Sequence, residues 1–144
     1  MGKVSIVYWS GTGNTEAMAA AMAEGAKDAG AEVELLTVDK ADAAALSEAK
    51  AFALGCPAMG AEVLEEGEME PFMAELDIQI AGKTIALFGS YGWGGGEWMR
   101  DWESRVVSDG AAVLSGEGII ADNAPDDDVL AECRAAGAKL AALV

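Results

Sequence analysis

Short apolar runs alternate with Ala-rich amphipathic stretches along most of the chain. Val4-Ser5-Ile6-Val7-Tyr8-Trp9 reads as a buried strand, and residues 16–29, rich in Ala and Met, as a helix. Residues 32–38 predict a second strand, and residues 41–49 a short helix with Asp42 as its cap. Residues 50–56 predict the third strand, 68–76 a helix and 83–89 the fourth strand. A helix over about 97–109 follows, in which Trp98 and Trp102, four apart, are assigned to packing. Residues 111–121 carry the fifth strand, broken near Gly116. Pro125 and Asp126 to Asp128 open a last helix running toward Val144, with acids where the helix dipole favours them.

Five strands alternating with helices imply an α/β fold: a doubly wound, five-stranded parallel sheet with helices on both faces. The expected strand order is 2-1-3-4-5, in one domain spanning residues 1–144. Right-handed crossovers place every strand-to-helix loop on one edge, where such sheets bind ligands. Three of those loops carry most of the unusual glycine, aromatic and sulfur chemistry: Ser10–Thr15, Pro57–Glu62 and Ser90–Gly96. The first, third and fourth strands are neighbours in this order, so the three loops converge.

The first loop, Ser10-Gly11-Thr12-Gly13-Asn14-Thr15, has the form of a phosphate cradle. The opening N–H groups of a helix lack partners within it, and the dipole there favours an anion. Gly11 and Gly13 let a ligand approach the backbone closely, and Ser10, Thr12, Asn14 and Thr15 add side-chain donors. No Lys or Arg lies between Ser10 and Ala26, which excludes a P-loop. The third glycine of a dinucleotide fingerprint is also missing. The loop therefore suits one terminal phosphate monoester held by neutral donors.

Composition narrows the chemistry further. The 144 residues include no histidine, which removes His-based triads, His-ligated metals and His general bases. Cys56 and Cys133 form no CxxC pair, and their context points to a reduced, cytoplasmic setting. Cys56 is assigned no chemistry. No apolar run reaches membrane-span length and no signal peptide opens the chain. Nine basic against 25 acidic residues give a formal net charge of −16. That charge opposes nucleic-acid and anionic-membrane binding and steers the chain toward basic partner proteins.

The other two loops are shaped for a flat ring. Tyr91 and Trp93 sit among glycines, where they are better placed to stack than to pack a core. Met59 offers a polarizable side chain to an aromatic face. A planar group between Met59 and Trp93, with its phosphate at Ser10–Thr15, has the shape of FMN. Trp9 could face ligand or core.

On these residues the chain resembles the short-chain flavodoxins. The likeness is carried by Ile6-Val7-Tyr8-Trp9-Ser10-Gly11-Thr12-Gly13-Asn14-Thr15-Glu16, by Leu54-Gly55-Cys56-Pro57-Ala58-Met59-Gly60, and by Leu87-Phe88-Gly89-Ser90-Tyr91-Gly92-Trp93-Gly94. The resemblance implies non-covalent FMN and low-potential, single-electron transfer between redox proteins in place of ferredoxin. It implies a monomer with no reaction of its own. It assigns the phosphate to Ser10 to Thr15 and the ring to Pro57, Ala58, Met59, Gly60, Ala61, Glu62, Ser90, Tyr91, Gly92, Trp93 and Gly94. Within that set Met59 and Trp93 flank the ring, Glu62 accepts from its N3–H, and the Gly60 carbonyl turns toward N5 on reduction.

Two expectations about tuning follow. Glu62, Glu65, Glu66, Glu68 and Glu70 crowd the sequence after the sandwich loop. At about 10 Å and a dielectric of about 80, five charges would disfavour the ring's second electron by roughly 2 kcal/mol, on the order of 90 mV. Met59-Gly60-Ala61-Glu62 reads as a four-residue turn in which Ala61 favours the form with positive φ at Gly60. Two other classes fit less well. An FMN-dependent reductase needs a second nucleotide site, for which no basic patch is visible. A phospho-receiver needs acidic magnesium ligands where Tyr8-Trp9-Ser10 stands.

Overall fold

Strands that are buried on both faces can afford no polar alternation, and the three central strands show this directly. In the computed structural model, which describes residues 2–144, β1 (Lys3–Tyr8) is buried from its second residue on. β3 (Ala51–Gly55) is buried throughout, as is β4 (Thr84–Tyr91) apart from its two ends. β2 (Glu32–Thr37) is half-buried, as an edge strand should be. All pairings are parallel, in the order β2-β1-β3-β4-β5.

The fifth strand is broken near Gly116, as the sequence predicts. It is two short pieces, β5 (Ala112–Val113) and β6 (Ile119–Asp122), each paired with β4. The residues between turn out of the ladder, with positive φ at Ser115 and Gly116. The break at Gly116 thus lengthens into a looped excursion, and the strand resumes opposite Phe88 to Tyr91.

Helices cover both faces. α1 (Asn14–Asp28) and α5 (Asp127–Leu143) pack on one, enclosing Ile6, Met18, Met22, Phe88, Cys133 and Leu140. α3 (Met69–Leu76) and α4 (Glu97–Ser108) pack on the other, over Val7, Phe52, Leu54, Met73, Trp98 and Trp102. Trp98 donates to the Cys56 carbonyl at 2.9 Å, so the indole packs and also fixes the end of β3. The helix expected over residues 41–49 is a single turn, α2 (Ala43–Leu46). Asp42 accepts from Ala44 N at 3.0 Å and Ser47 Oγ donates to the Ala44 carbonyl at 2.7 Å, so side chains cap both ends.

Arg105 joins α3 to α4. It forks onto Glu70 with two bonds of 2.8 Å and onto Asp77 at 2.7–3.1 Å. Burial raises the Asp77 pKa, but the Arg105 hydrogen bonds overcome this and hold it below the usual range. Asp109, at the C-cap of α4, is pushed up to about 6 by burial and by the neighbouring Asp77. Its Oδ2 has no hydrogen-bond partner among the described residues, and a carboxylate at a helix C-terminus also opposes the dipole.

A raised folded pKa means that Asp109 contributes stability below its ordinary value of 3.8, lost as pH rises through 6. Asp77 acts in the opposite sense, losing its contribution as pH falls below 3.8. Asp109→Asn is expected to remove the pH 4–6 loss and to stabilise at pH 7 by up to about 1 kcal/mol, allowing for solvent screening. Urea unfolding at pH 4, 5, 6 and 7 measures both; a neutral-pH midpoint below that of the unmodified chain would refute the assignment.

Candidate functional site

The three loops meet at the carboxyl edge of β1, β3 and β4, as the strand order requires. In the first, Ser10 Oγ accepts from Gly13 N at 3.2 Å and from Glu16 N at 3.3 Å, and Thr12 Oγ1 accepts from Asn14 N at 3.4 Å. Gly13 sits at the N-cap of α1 with φ 94°, a conformation open to glycine without strain. Gly11, Thr12 and Gly13 are exposed, so the head of the 15-residue α1 opens to solvent through backbone and hydroxyl donors. Thr15 is buried and bonds to Ser90, Oγ1 to Oγ 3.3 Å. That contact ties the first loop to the end of β4.

Beside this loop lies a cleft of about 300 Å³. Gly11, Thr12 and Asn14 line it from the first loop and Pro57, Ala58 and Met59 from the second. Ser90, Tyr91, Gly92 and Trp93 line it from the third. Trp93 is 52% exposed and Met59 half-buried, so both present free faces at the rim. Trp9 also lines the cleft, while its Nε1 donates to Glu68 at 3.3 Å. Asn123 joins the lining unforeseen. It follows β6 with φ 61°, and its N–H donates to the Tyr91 carbonyl at 2.7 Å. The Asn-Ala-Pro sequence after a strand is a turn signal that could have marked it.

Ser10, Gly13, Thr15, Gly60, Ala61, Glu62 and Gly94 are not among the lining residues. The second loop is one residue longer than a four-residue turn. Met59 and Val63 exchange two 2.9 Å backbone bonds around Gly60-Ala61-Glu62. Gly60 has φ 51°, Ala61 avoids positive φ, and Glu62 takes φ 55°. The left-handed residue thus falls on Gly60 and a second on Glu62, because the chain must close back onto Met59. The Gly60 carbonyl accepts from Trp93 Nε1 at 3.2 Å, and Glu62 Oε1 from Glu97 N at 3.0 Å.

The acidic run is not five free charges. Glu70 is paired with Arg105. Glu65 accepts from Gly67, Glu68 and Met69 N at 2.7–3.0 Å; burial opposes its ionisation, but these donors hold its pKa below the usual range. No Lys or Arg lines the cleft. Burial pushes the Cys56 thiol up to about 12, which leaves it inert.

The lining suits FMN: an apolar, aromatic-rimmed slot for a ring, continuous with neutral donors at a helix head for a phosphate. Comparison with known proteins agrees. The flavodoxin family model matches residues 6–137. The flavodoxin of Clostridium beijerinckii is 48% identical over 124 residues, 86% of this chain and 89% of that one. The flavodoxin of Megasphaera elsdenii is 47% identical over 135 residues, 92% and 98% of the two chains. The solution structure of the two-electron reduced Megasphaera elsdenii protein superposes with a TM-score of 0.86 at 45% identity, over 94% of this chain and 98% of that one.

Proposed function

This chain belongs to the flavodoxin family, and on that premise we propose that the cleft at the carboxyl edge is its FMN site and works at low potential. The protein is an FMN-binding electron carrier, not an enzyme, and it serves redox partner proteins. When bound, FMN supplies electron uptake and release one at a time. The observation that carries the reading is the cleft between Met59 and Trp93, opening onto the uncharged head of α1.

In this reading Ser10 to Thr15 hold the phosphate through backbone and side-chain donors. Met59 and Trp93 flank the ring and keep water from its faces. Glu62 is the acceptor for the ring's imide N–H. The carboxylates around the rim oppose added negative charge at the ring. Arg105 offsets one of the five expected there. Four at about 10 Å in a dielectric of about 80 disfavour the second electron by about 1.7 kcal/mol, roughly 70 mV. The same charges favour partners with a basic docking face. The chain acts as one domain and as a monomer in the cytoplasm, in the place of ferredoxin. No described helix is long and apolar enough to cross a membrane.

The test is FMN uptake by the flavin-free protein, followed by an anaerobic redox titration. A chain that takes up no FMN overturns the reading. Glu66 is exposed and makes no ion pair among the described residues, which makes it a clean probe of the charge effect. Glu66→Gln is expected to raise the second-electron potential by about 20 mV at low salt, with the shift shrinking as salt screens it. An unmoved potential at low salt would remove the charge argument.

A further inference from the structure

Glu62 is the only residue of the loop after β3, glycine apart, that takes a left-handed φ. Such strain persists where the surroundings over-determine it. Two contacts do so here. Met59 and Val63 pair on either side of it. Its carboxylate crosses to α4, where Oε1 accepts from Glu97 N at 3.0 Å. The N-cap of α4 is Gly96, which has no side chain to offer, so a carboxylate from another loop meets an orphan N–H and the positive end of the dipole.

Gly94 makes room for this. A Cβ at Gly94 would lie 2.5 Å from both Glu62 carboxylate oxygens. Any side chain at 94 would push the carboxylate off the helix head. We propose that Gly94 and Glu62 form a positioning pair: the bare backbone at 94 admits the carboxylate to Glu97 N–H, and that bond sets the Met59 wall of the cleft against the Trp93 wall. The Trp93 Nε1 bond to the Gly60 carbonyl crosses the same rim and depends on the same registry. Oε1 makes the Glu97 bond, which leaves Oε2 for the ring; the pair adds to that contact by setting Met59 against Trp93, and Glu62 also lines a smaller cavity beside Trp98 and Arg105. The inference rests on the reading of the cleft as the ring site.

Gly82→Ala is the control, because Gly82 has φ 82° and open space around it, so it carries the same backbone strain with no overlap. Amide exchange at Glu97 is measured in the flavin-free protein, and FMN affinity separately. Gly94→Ala and Glu62→Ala are each expected to speed Glu97 exchange about tenfold and to weaken FMN about tenfold, the scale of one charge-assisted hydrogen bond. Glu62→Gln keeps an acceptor oxygen and should hold exchange near that of the unmodified chain. Gly82→Ala should leave both measurements within about twofold, as an exposed site away from the cleft. Weakened FMN binding with unchanged Glu97 exchange in Gly94→Ala would overturn the proposal, as would equal effects of Gly94→Ala and Gly82→Ala. Failure of the unmodified chain to bind FMN would refute the ring-site reading, whereas the exchange contrast would still decide the Glu62 contact.

Discussion

FMN is expected to bind a Thr12→Asp variant at least about 100-fold more weakly than the unmodified chain, while riboflavin binding stays within a few-fold. Thr12 is exposed in the loop at the head of α1, and its Oγ1 accepts from Asn14 N. A carboxylate there would occupy the donors the phosphate needs and repel its charge. At about 5 Å and an effective dielectric of about 20, one pair of like charges costs roughly 3 kcal/mol, which is about two decades in affinity. Riboflavin lacks the phosphate, so it reports the ring site alone. Paired fluorescence titrations with the two flavins measure the ratio. Equal losses for both would mean that the loop is damaged rather than charged, and no loss for FMN would place the phosphate elsewhere.

A second large effect is expected at Gly89, in β4. A Cβ there would overlap the Cys56 carbonyl oxygen and sit 3.2 Å from the Trp98 ring. The same carbonyl accepts from Trp98 Nε1, and the Cys56 and Ala58 N–H groups bond back to Phe88 and Ser90. Neither backbone nor indole can give way without opening the seam between β3 and β4. Gly89→Ala is expected to cost about 3 kcal/mol by overpacking, lowering the melting temperature by about 10 °C. Gly95→Ala, where the space is open, should shift it little. Melts of the flavin-free proteins separate this from lost ligand stabilisation. The seam ends in the cleft, so FMN affinity should fall with stability in Gly89→Ala. A Gly89→Ala melt within a degree or two of Gly95→Ala would show that the seam relaxes freely.

The strands and their order were legible because the three central runs carry almost no polar residue, which only two covered faces allow. The ligand loops were legible because glycine, hydroxyl and aromatic residues stand where apolar patterning stops. What the sequence hid depends on contacts between distant segments. Thr15 bonds to Ser90, 75 residues on, and a loop threonine reads the same whether it meets a ligand or a strand. Arg105 finds Asp77 and Glu70 at separations of 28 and 35 residues, so Glu70 looked unpaired. The Glu62 bond to Glu97 N–H depends on how α4 docks, which no local pattern shows. The fifth strand was read as continuous but for one break. Its second half has a partner only because β4 runs on to Tyr91.

The contact between α1 and α5 bears on when the protein can take up its cofactor. Gly25 of α1 lies against the Arg134 carbonyl and Gly137 of α5 against the Met22 carbonyl, so the two helices touch backbone to backbone. A chain folded only through β6 has α1 seated on the sheet but lacks the second surface that α5 supplies. The loop that α1 carries gains the whole of its base only once α5 has docked. On the ring-site reading, flavin capture is therefore expected to follow the docking of α5 on α1 rather than to precede it.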